Sequence, residues 1–540
     1  MLKQRKEYAD IALVVLFAII PLFMNFPYRV NIFLSWEGAY RISEGQLPFR
    51  DFGTPLGGMY WMIPALFFKL FGAKMITLVK AQVFINILSG LAFRSILKSF
   101  SFGWALRFLC VFVYCISFSF FNFWPWYNHS VIVYEFIGIA FVLRYITQPD
   151  LRSRLLCLVL GGLFIVCSFL TKQDGGGMAL VLGFMLLLYH ALTAEKRDYR
   201  GVLVYAGSFA LFLAFYILIC GASSFGYWFN HGQPPHTSRV SAYDLVAEFL
   251  SGSQWIKFYV FVLILLLLPR LANIRELWKD RQEMLFLLLV IGILGEATVF
   301  QLTSYTPPDN NIFFHSFAIA YILWKIGRIN ALSFSKPLVF AGSLFGILLW
   351  WSGTYWKYMQ RVAAKTLSQK EVVQEEGGEN IVNRQTYMQF PKPDTGEPES
   401  QWTYCGLKSF DRIYMPSSTV KGIHRLLDMD LLKSGKKLRV LNMTELTPLA
   451  AEVPFELERS PEYPLWYHLG VGMFNKQAEM FEKRIAEKEY DLILFEHIPV
   501  LNNFYPFRVR DSLKLHYRQI DSFAAPRRGE TQGVIEVYVP

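Results

Sequence analysis

The chain has 540 residues, of which 54% are hydrophobic, 17% aromatic and 18% charged, and its formal net charge is +11. A soluble domain carries about 25% charged residues, so this composition excludes a wholly water-soluble protein. The basic excess requires no nucleic-acid partner, because lysines and arginines flanking membrane spans on the cytoplasmic side account for much of it.

In chain order, apolar runs lie near 10–27, 77–97, 104–123, 129–146, 155–171, 178–194, 201–220, 256–268, 284–302, 311–325 and 334–352. A span needs about 20 apolar residues to cross roughly 30 Å of hydrocarbon, so these runs predict about eleven transmembrane helices. The first follows Lys3, Arg5 and Lys6 but ends in Asn25-Phe26-Pro27-Tyr28 instead of a small-residue cleavage site. It therefore reads as a retained helix and not a removed signal peptide. Basic residues concentrate in alternate loops: Arg94 and Lys98; Arg144, Arg152 and Arg154; Lys196, Arg197 and Arg200; Arg270 to Arg281; Lys325, Arg328 and Lys336. This pattern predicts a cytoplasmic amino terminus and an extracytoplasmic carboxy terminus. The first outside loop departs from it, with several basic residues between 29 and 80.

The predicted fold class is a mostly α polytopic membrane protein with a C-terminal soluble α/β domain on the extracytoplasmic side. Residues 1–352 form the transmembrane domain, with its first outside loop at 28–76. Residues 353–400 read as a polar linker or loosely ordered segment, and 401–540 form the α/β domain. There, Leu438–Asn442 and Asp491–Phe495 read as buried strands and Met473–Lys488 as a helix. Five of the six cysteines lie in or beside spans, Cys405 is alone in the tail, and no metal-ligand spacing appears. No cofactor is expected, and metal dependence is left open, with a divalent metal not indicated.

The first outside loop is long, aromatic and glycine-rich, and carries Glu37, Glu44 and Asp51. Met59 to Phe71 is apolar but too short to span, which predicts an interfacial or re-entrant helix. Trp36, Tyr40, Tyr60 and Trp61 are expected at the headgroup level. Glu37, then Gly45-Gln-Leu-Pro-Phe-Arg-Asp51-Phe, then Gly53-Thr-Pro-Leu-Gly-Gly resembles the first outside loop of the GT-C membrane glycosyltransferases. The similar branch holds protein O-mannosyltransferases and lipid A aminoarabinose transferases. In that family an acidic residue just after the first span is the proposed catalytic base. Here the position reads Trp36-Glu37-Gly38, where the family has Asp, often as Asp-Glu, and Phe49 replaces its common Tyr. Thr171-Lys172-Gln173-Asp174-Gly175 is similar to a Lys-Gln-x-x-Gly segment of bacterial members, and the tail resembles the family's small outside α/β domain.

The chemistry that the resemblance implies can be argued independently. A sugar on a polyprenyl phosphate already has a stable leaving group, whereas an acceptor hydroxyl is weak until a base takes its proton. One carboxylate can supply that, and fixed cations stabilise the departing phosphate. Glu37 or Asp51 could be the base. Arg50, Lys172, Gln173, Asp174, Arg239 and Tyr40, with His231 and His236 in the 221–255 loop, are candidate substrate-binding residues. Plainer readings stand beside these: Glu37 as a solvated helix residue, Asp51 as a turn cap or salt-bridge partner of Arg50, Lys172 and Asp174 as a pair at a helix end, and the histidines as solvated. His129 and Asp309 lie in other outside loops. Glu135 and Glu296 fall within predicted spans, where an acid is costly, with no role assigned.

The expected function is inverting transfer of a sugar from a polyprenyl-phosphate donor to an extracytoplasmic lipid, glycan or protein acceptor, at a bacterial inner membrane, in glycan biosynthesis of the cell envelope. The alternatives are a lipid-linked polysaccharide polymerase or ligase, and a transporter or flippase. A transporter is expected to carry broken helices or mid-membrane charges, whereas here the candidate groups gather at one face.

Overall fold

The computed structural model describes residues 7–28, 32–119, 122–148, 153–194, 197, 199–220, 241–304, 313–353, 355–356, 396–465, 467, 474–501, 506–527 and 531–540. Each apolar run of the sequence overlaps a helix: Ala9–Ile19, Met75–Ser99, Trp104–Ser117, Tyr127–Thr147, Arg154–Phe169, Gln173–Thr193, Arg200–Cys220, Gln254–Leu271, Arg281–Ser304, Phe313–Ile329 and Pro337–Trp350. Six of them, at 75–99, 127–147, 173–193, 200–220, 254–271 and 281–303, are long and apolar enough to cross a membrane. Leu203, Leu211, Phe215 and Leu218 are exposed on Arg200–Cys220, as a lipid-facing surface requires. The run at Met59–Phe71 is a short apolar helix whose Leu66, Leu70 and Phe71 are exposed.

The C-terminal region folds around a five-stranded sheet in the order β5-β4-β6-β8-β7: β4 Leu438–Met443, β5 Phe455–Glu456, β6 Leu492–His497, β7 Arg518–Ala524 and β8 Val534–Val539. The first three are parallel, and β6, β8 and β7 run antiparallel. Phe474–Ala486 is the helix expected near there.

A second, small sheet joins the two ends of the chain. β1 (Phe26–Pro27), just after the first helix, pairs in parallel with β3 (Ile413–Met415), which also pairs with β2 (Thr403–Tyr404). Gly53 bridges to Pro464: its amide donates to Tyr463 O at 2.8 Å, and its carbonyl accepts from Leu465 N at 2.9 Å. The hydrophobic core follows the same seam. Phe26, Ile32, Trp36, Phe52, Tyr60, Trp61 and Phe68 share one cluster with Ile413, Leu441, Phe481, Ile493 and Phe495. This corrects the headgroup placement of the loop aromatics. Trp36 and Trp61 are 0% exposed and Tyr60 1%, so they are core residues, and only Tyr40 keeps part of its surface.

At the far end of the bundle, buried ion pairs close the helix ends. Asp10 pairs with Arg107 and, at 3.0 Å, with Arg94, and Glu283 pairs with Lys325. Several of the basic residues behind the orientation argument are therefore also structural.

Candidate active site

Glu37 lies on the helix Ile32–Ser43. The next residue is glycine for a steric reason: a Cβ on Gly38 would fall 2.1 Å from Trp61 Cε2. Trp61 in turn donates from Nε1 to Leu34 O at 3.0 Å, which fixes the helix against the loop.

Glu37 Oε1 accepts from Arg41 Nε at 2.9 Å, with side-chain exposures of 17% and 4%. Arg41 is held on all sides. Its Nη1 donates to Gln46 Oε1 and to Glu458 O, each at 3.0 Å, and its guanidinium lies 4.8 Å from the Tyr463 ring centroid and 5.8 Å from that of Phe52. Burial pushes the Glu37 carboxyl above its ordinary value, and the charge and hydrogen bond of Arg41 oppose that rise without cancelling it. The result is a fixed, partly accessible carboxylate of enhanced basicity.

Asp51 is placed differently. Burial raises its pKa, but the Arg50 hydrogen bond, the Leu47 amide and the Arg50 charge outweigh burial and hold it below the usual range. Its Oδ2 accepts from Leu47 N at 2.7 Å and from Arg50 Nη2 at 2.8 Å, closing the turn Leu47–Asp51. Its carbonyl accepts from Ser460 N at 2.8 Å. Within this turn Phe49 has φ 67°, a left-handed backbone that costs a non-glycine residue energy. Phe49 is fully buried against Val166, Leu170, Tyr216 and Cys220, and that packing offsets the strain. Arg50 is about half exposed.

Lys172 and Asp174 sit at the start of Gln173–Thr193, which Gln173 opens. Lys172 Nζ donates to Asp174 Oδ2 at 2.7 Å and lies 4.2 Å from the centroid of the Phe300 ring. The loop docks directly onto this segment: Gly57 N donates to Thr171 O and Met59 N to Leu170 O, both at 3.2 Å. A Cβ on Gly57 would lie 1.6 Å from Leu170 O. Glu37 and Lys172 are thus joined through the loop. Tyr60 and Tyr127, ring centroids 6.1 Å apart, continue the contact, and Tyr127 lies in the field of Asp174.

Tyr40, one helical turn from Glu37, has its hydroxyl pushed up to about 12 by burial and the nearby Glu44 charge. It donates to Ala450 O at 3.1 Å. It also lines a cleft of about 800 Å³ between the loop helix and the C-terminal region, with Glu44, Gln46, Arg439, Glu458, Arg459 and Arg484 among its walls. Arg239, His231 and His236 lie outside the described residues, as does Asp309. Among the described residues no group of three His, Cys, Asp or Glu side chains is placed to hold a metal ion.

Sequence reasoning missed Arg41, Tyr463 and Glu458. The first had a signal, since Glu37 and Arg41 stand at i and i+4 on a helix. The other two lie more than four hundred residues away in sequence and had none.

The fold that carries these groups is the GT-C fold of membrane glycosyltransferases. ArnT from Cupriavidus metallidurans in the apo state superposes with a TM-score of 0.51 at 12% identity, covering 98% of this chain and 97% of that one. The same enzyme bound to undecaprenyl phosphate gives 0.49 at 11% identity, with the same coverage. An oligosaccharyltransferase from Archaeoglobus fulgidus gives 0.36 at 12% identity, covering 63% of this chain. The chain spans about half (51%) of that protein's length. No family model and no curated protein sequence matches the chain.

Proposed function

We propose that the chain is a lipid-linked glycosyltransferase of the GT-C type. In this reading it moves a sugar from a polyprenyl-phosphate donor to an acceptor hydroxyl on the extracytoplasmic side, with about eleven spans, the transmembrane domain at 1–352 and the α/β domain at 401–540. The observation that carries it is the loop itself, which holds a buried-side carboxylate, Glu37, and docks onto the segment bearing Lys172.

Glu37 takes the proton of the acceptor hydroxyl. The acceptor oxygen then bonds to the anomeric carbon as the bond from that carbon to the phosphate oxygen breaks, which inverts the centre and releases polyprenyl phosphate. Lys172 stabilises the charge that grows on the phosphate. Arg50, half exposed beside the loop turn, is a second cation for it, and Gln173 stands next to Lys172. Asp51 is assigned to holding the turn rather than to chemistry. The cleft beside Tyr40 offers both donors and acceptors, which suits a polyhydroxyl acceptor. Arg239, His231 and His236 keep their proposed binding role, as does the absence of a cofactor.

The reading is tested with purified protein in proteoliposomes, supplied with radiolabelled sugars on undecaprenyl phosphate and with envelope lipids and glycans as acceptors. Label moving to an acceptor with inverted anomeric configuration supports it. No transfer from any lipid donor opposes it.

A further inference from the structure

Glu135, on Tyr127–Thr147, is 0% exposed, and Glu296, on Arg281–Ser304, is 3% exposed. Both helices are long and apolar enough to cross a membrane. None of the four carboxyl oxygens finds a donor among the described residues, yet the two side chains lie within hydrogen-bonding reach of each other. Two carboxylates are both acceptors, so that contact is a hydrogen bond only when one of them carries a proton.

The surroundings narrow the choice further. A Cβ on Gly175 would meet Phe300 at 2.6 Å and Val131 at 2.8 Å. Phe300 is one turn along its helix from Glu296, and Val131 one turn from Glu135. The pair therefore sits one turn deeper than the glycine pinch beneath Lys172 and Asp174. Those two are the charged groups that face it from Gln173–Thr193, and they already neutralise each other at 2.7 Å. From Arg200–Cys220 the group facing Glu135 is Tyr205, fully buried, whose hydroxyl also has no partner among the described residues. Among the described residues the cation that faces the pair is Lys172, already paired with Asp174, so two negative charges there would lack a counter-ion. Like charges sharing a dry site cannot both ionise.

We propose that Glu135 and Glu296 form an intramembrane proton-binding site, a carboxyl–carboxylate pair sharing one proton that lets these helices close beneath Lys172. Loss of that proton would set two carboxylates against each other and open the packing on which the lysine rests. The inference is independent of the transfer reaction, because its test reads the proton without any substrate.

The test is difference infrared spectroscopy of the full chain in lipid nanodiscs, following the C=O stretch of protonated carboxylic acid as pH is raised. Wild type is expected to keep such a band at neutral pH, and the E135Q/E296Q double variant to lose it. The amide side chains supply the missing donors, so the double variant is expected to fold with a melting temperature less sensitive to alkaline pH than that of wild type. A band that is the same in both proteins, or absent from both, would overturn the proposal. So would stabilisation of wild type by sodium at fixed pH with no protonated band, since that would mean the pair holds a metal cation instead.

Discussion

Two carboxylates in the same loop meet opposite surroundings. Glu37 is buried with one arginine and has its pKa raised. Asp51 accepts an amide and a guanidinium and has its pKa lowered. Environments that push paired acids apart also divide their roles, which is why Glu37 is taken as the base and Asp51 as the turn holder. The signs follow. Ionised Glu37 accumulates only above its raised pKa, so transfer is expected to fall, as pH drops, at a higher pH than for an ordinary glutamate. In Arg41→Gln this limb should move to still higher pH, as read from a pH–rate profile. Asp51 has a depressed folded pKa, so its stabilisation is complete above the ordinary aspartate value and is lost as pH falls through the folded one. Asp51→Asn should therefore melt earlier than wild type at neutral pH, with the difference closing in acid. Removing one partner of a buried pair costs about 3–5 kcal/mol, so Arg41→Met is expected to destabilise by roughly that amount. A melting temperature within error of wild type would contradict the burial and bonding described for Arg41.

At the scale of elements, the helices were legible because apolar runs of spanning length have few other uses. The strands β4 and β6 were legible as short β-branched and leucine-rich runs between polar stretches. The loop was legible as a site but not as a structure. Its aromatic residues were read as a headgroup belt because nothing local distinguishes a tryptophan facing lipid from one facing a domain four hundred residues away. Trp36 packs on Tyr40 and Phe68, and Trp61 on Phe52 and Tyr60, and the cluster they belong to continues into the other end of the chain. Similarly, Glu135 and Glu296 were recognisable as costly singly, but their facing positions come from helix packing. The glycines were read as a motif, and the structure supplies their reason. With its Cβ 1.6 Å from Leu170 O, Gly57→Ala cannot be accommodated without moving backbone. Overpacking typically costs about 1–3 kcal/mol, and here it should also undock the loop from Thr171. The expected outcome is a large loss of transfer together with new proteolytic cleavage within 45–58. An alanine variant that docks and turns over normally would refute the close approach.

The whole molecule is tied together at one face, where β1 joins β3, Gly53 joins Pro464, and loop and C-terminal region share a core. Whatever side of the membrane carries the C-terminal sheet must therefore also carry Glu37, the cleft and Lys172. This is a topological statement that labelling can check. Lys436→Cys, exposed near β4, is expected to react with an impermeant maleimide in intact cells. Lys279→Cys, at the opposite end of the bundle, should react only after permeabilisation. The reverse pattern would place the proposed site in the cytoplasm and remove the argument for extracytoplasmic transfer. The most direct test of the central claim is turnover of Glu37→Gln beside wild type with the same undecaprenyl-phosphate sugar donor. Loss of a positioned general base predicts a kcat lower by about 10²–10⁴-fold with KM little changed, in protein that still folds but melts earlier because Arg41 loses its charge partner. Turnover equal to wild type would contradict it.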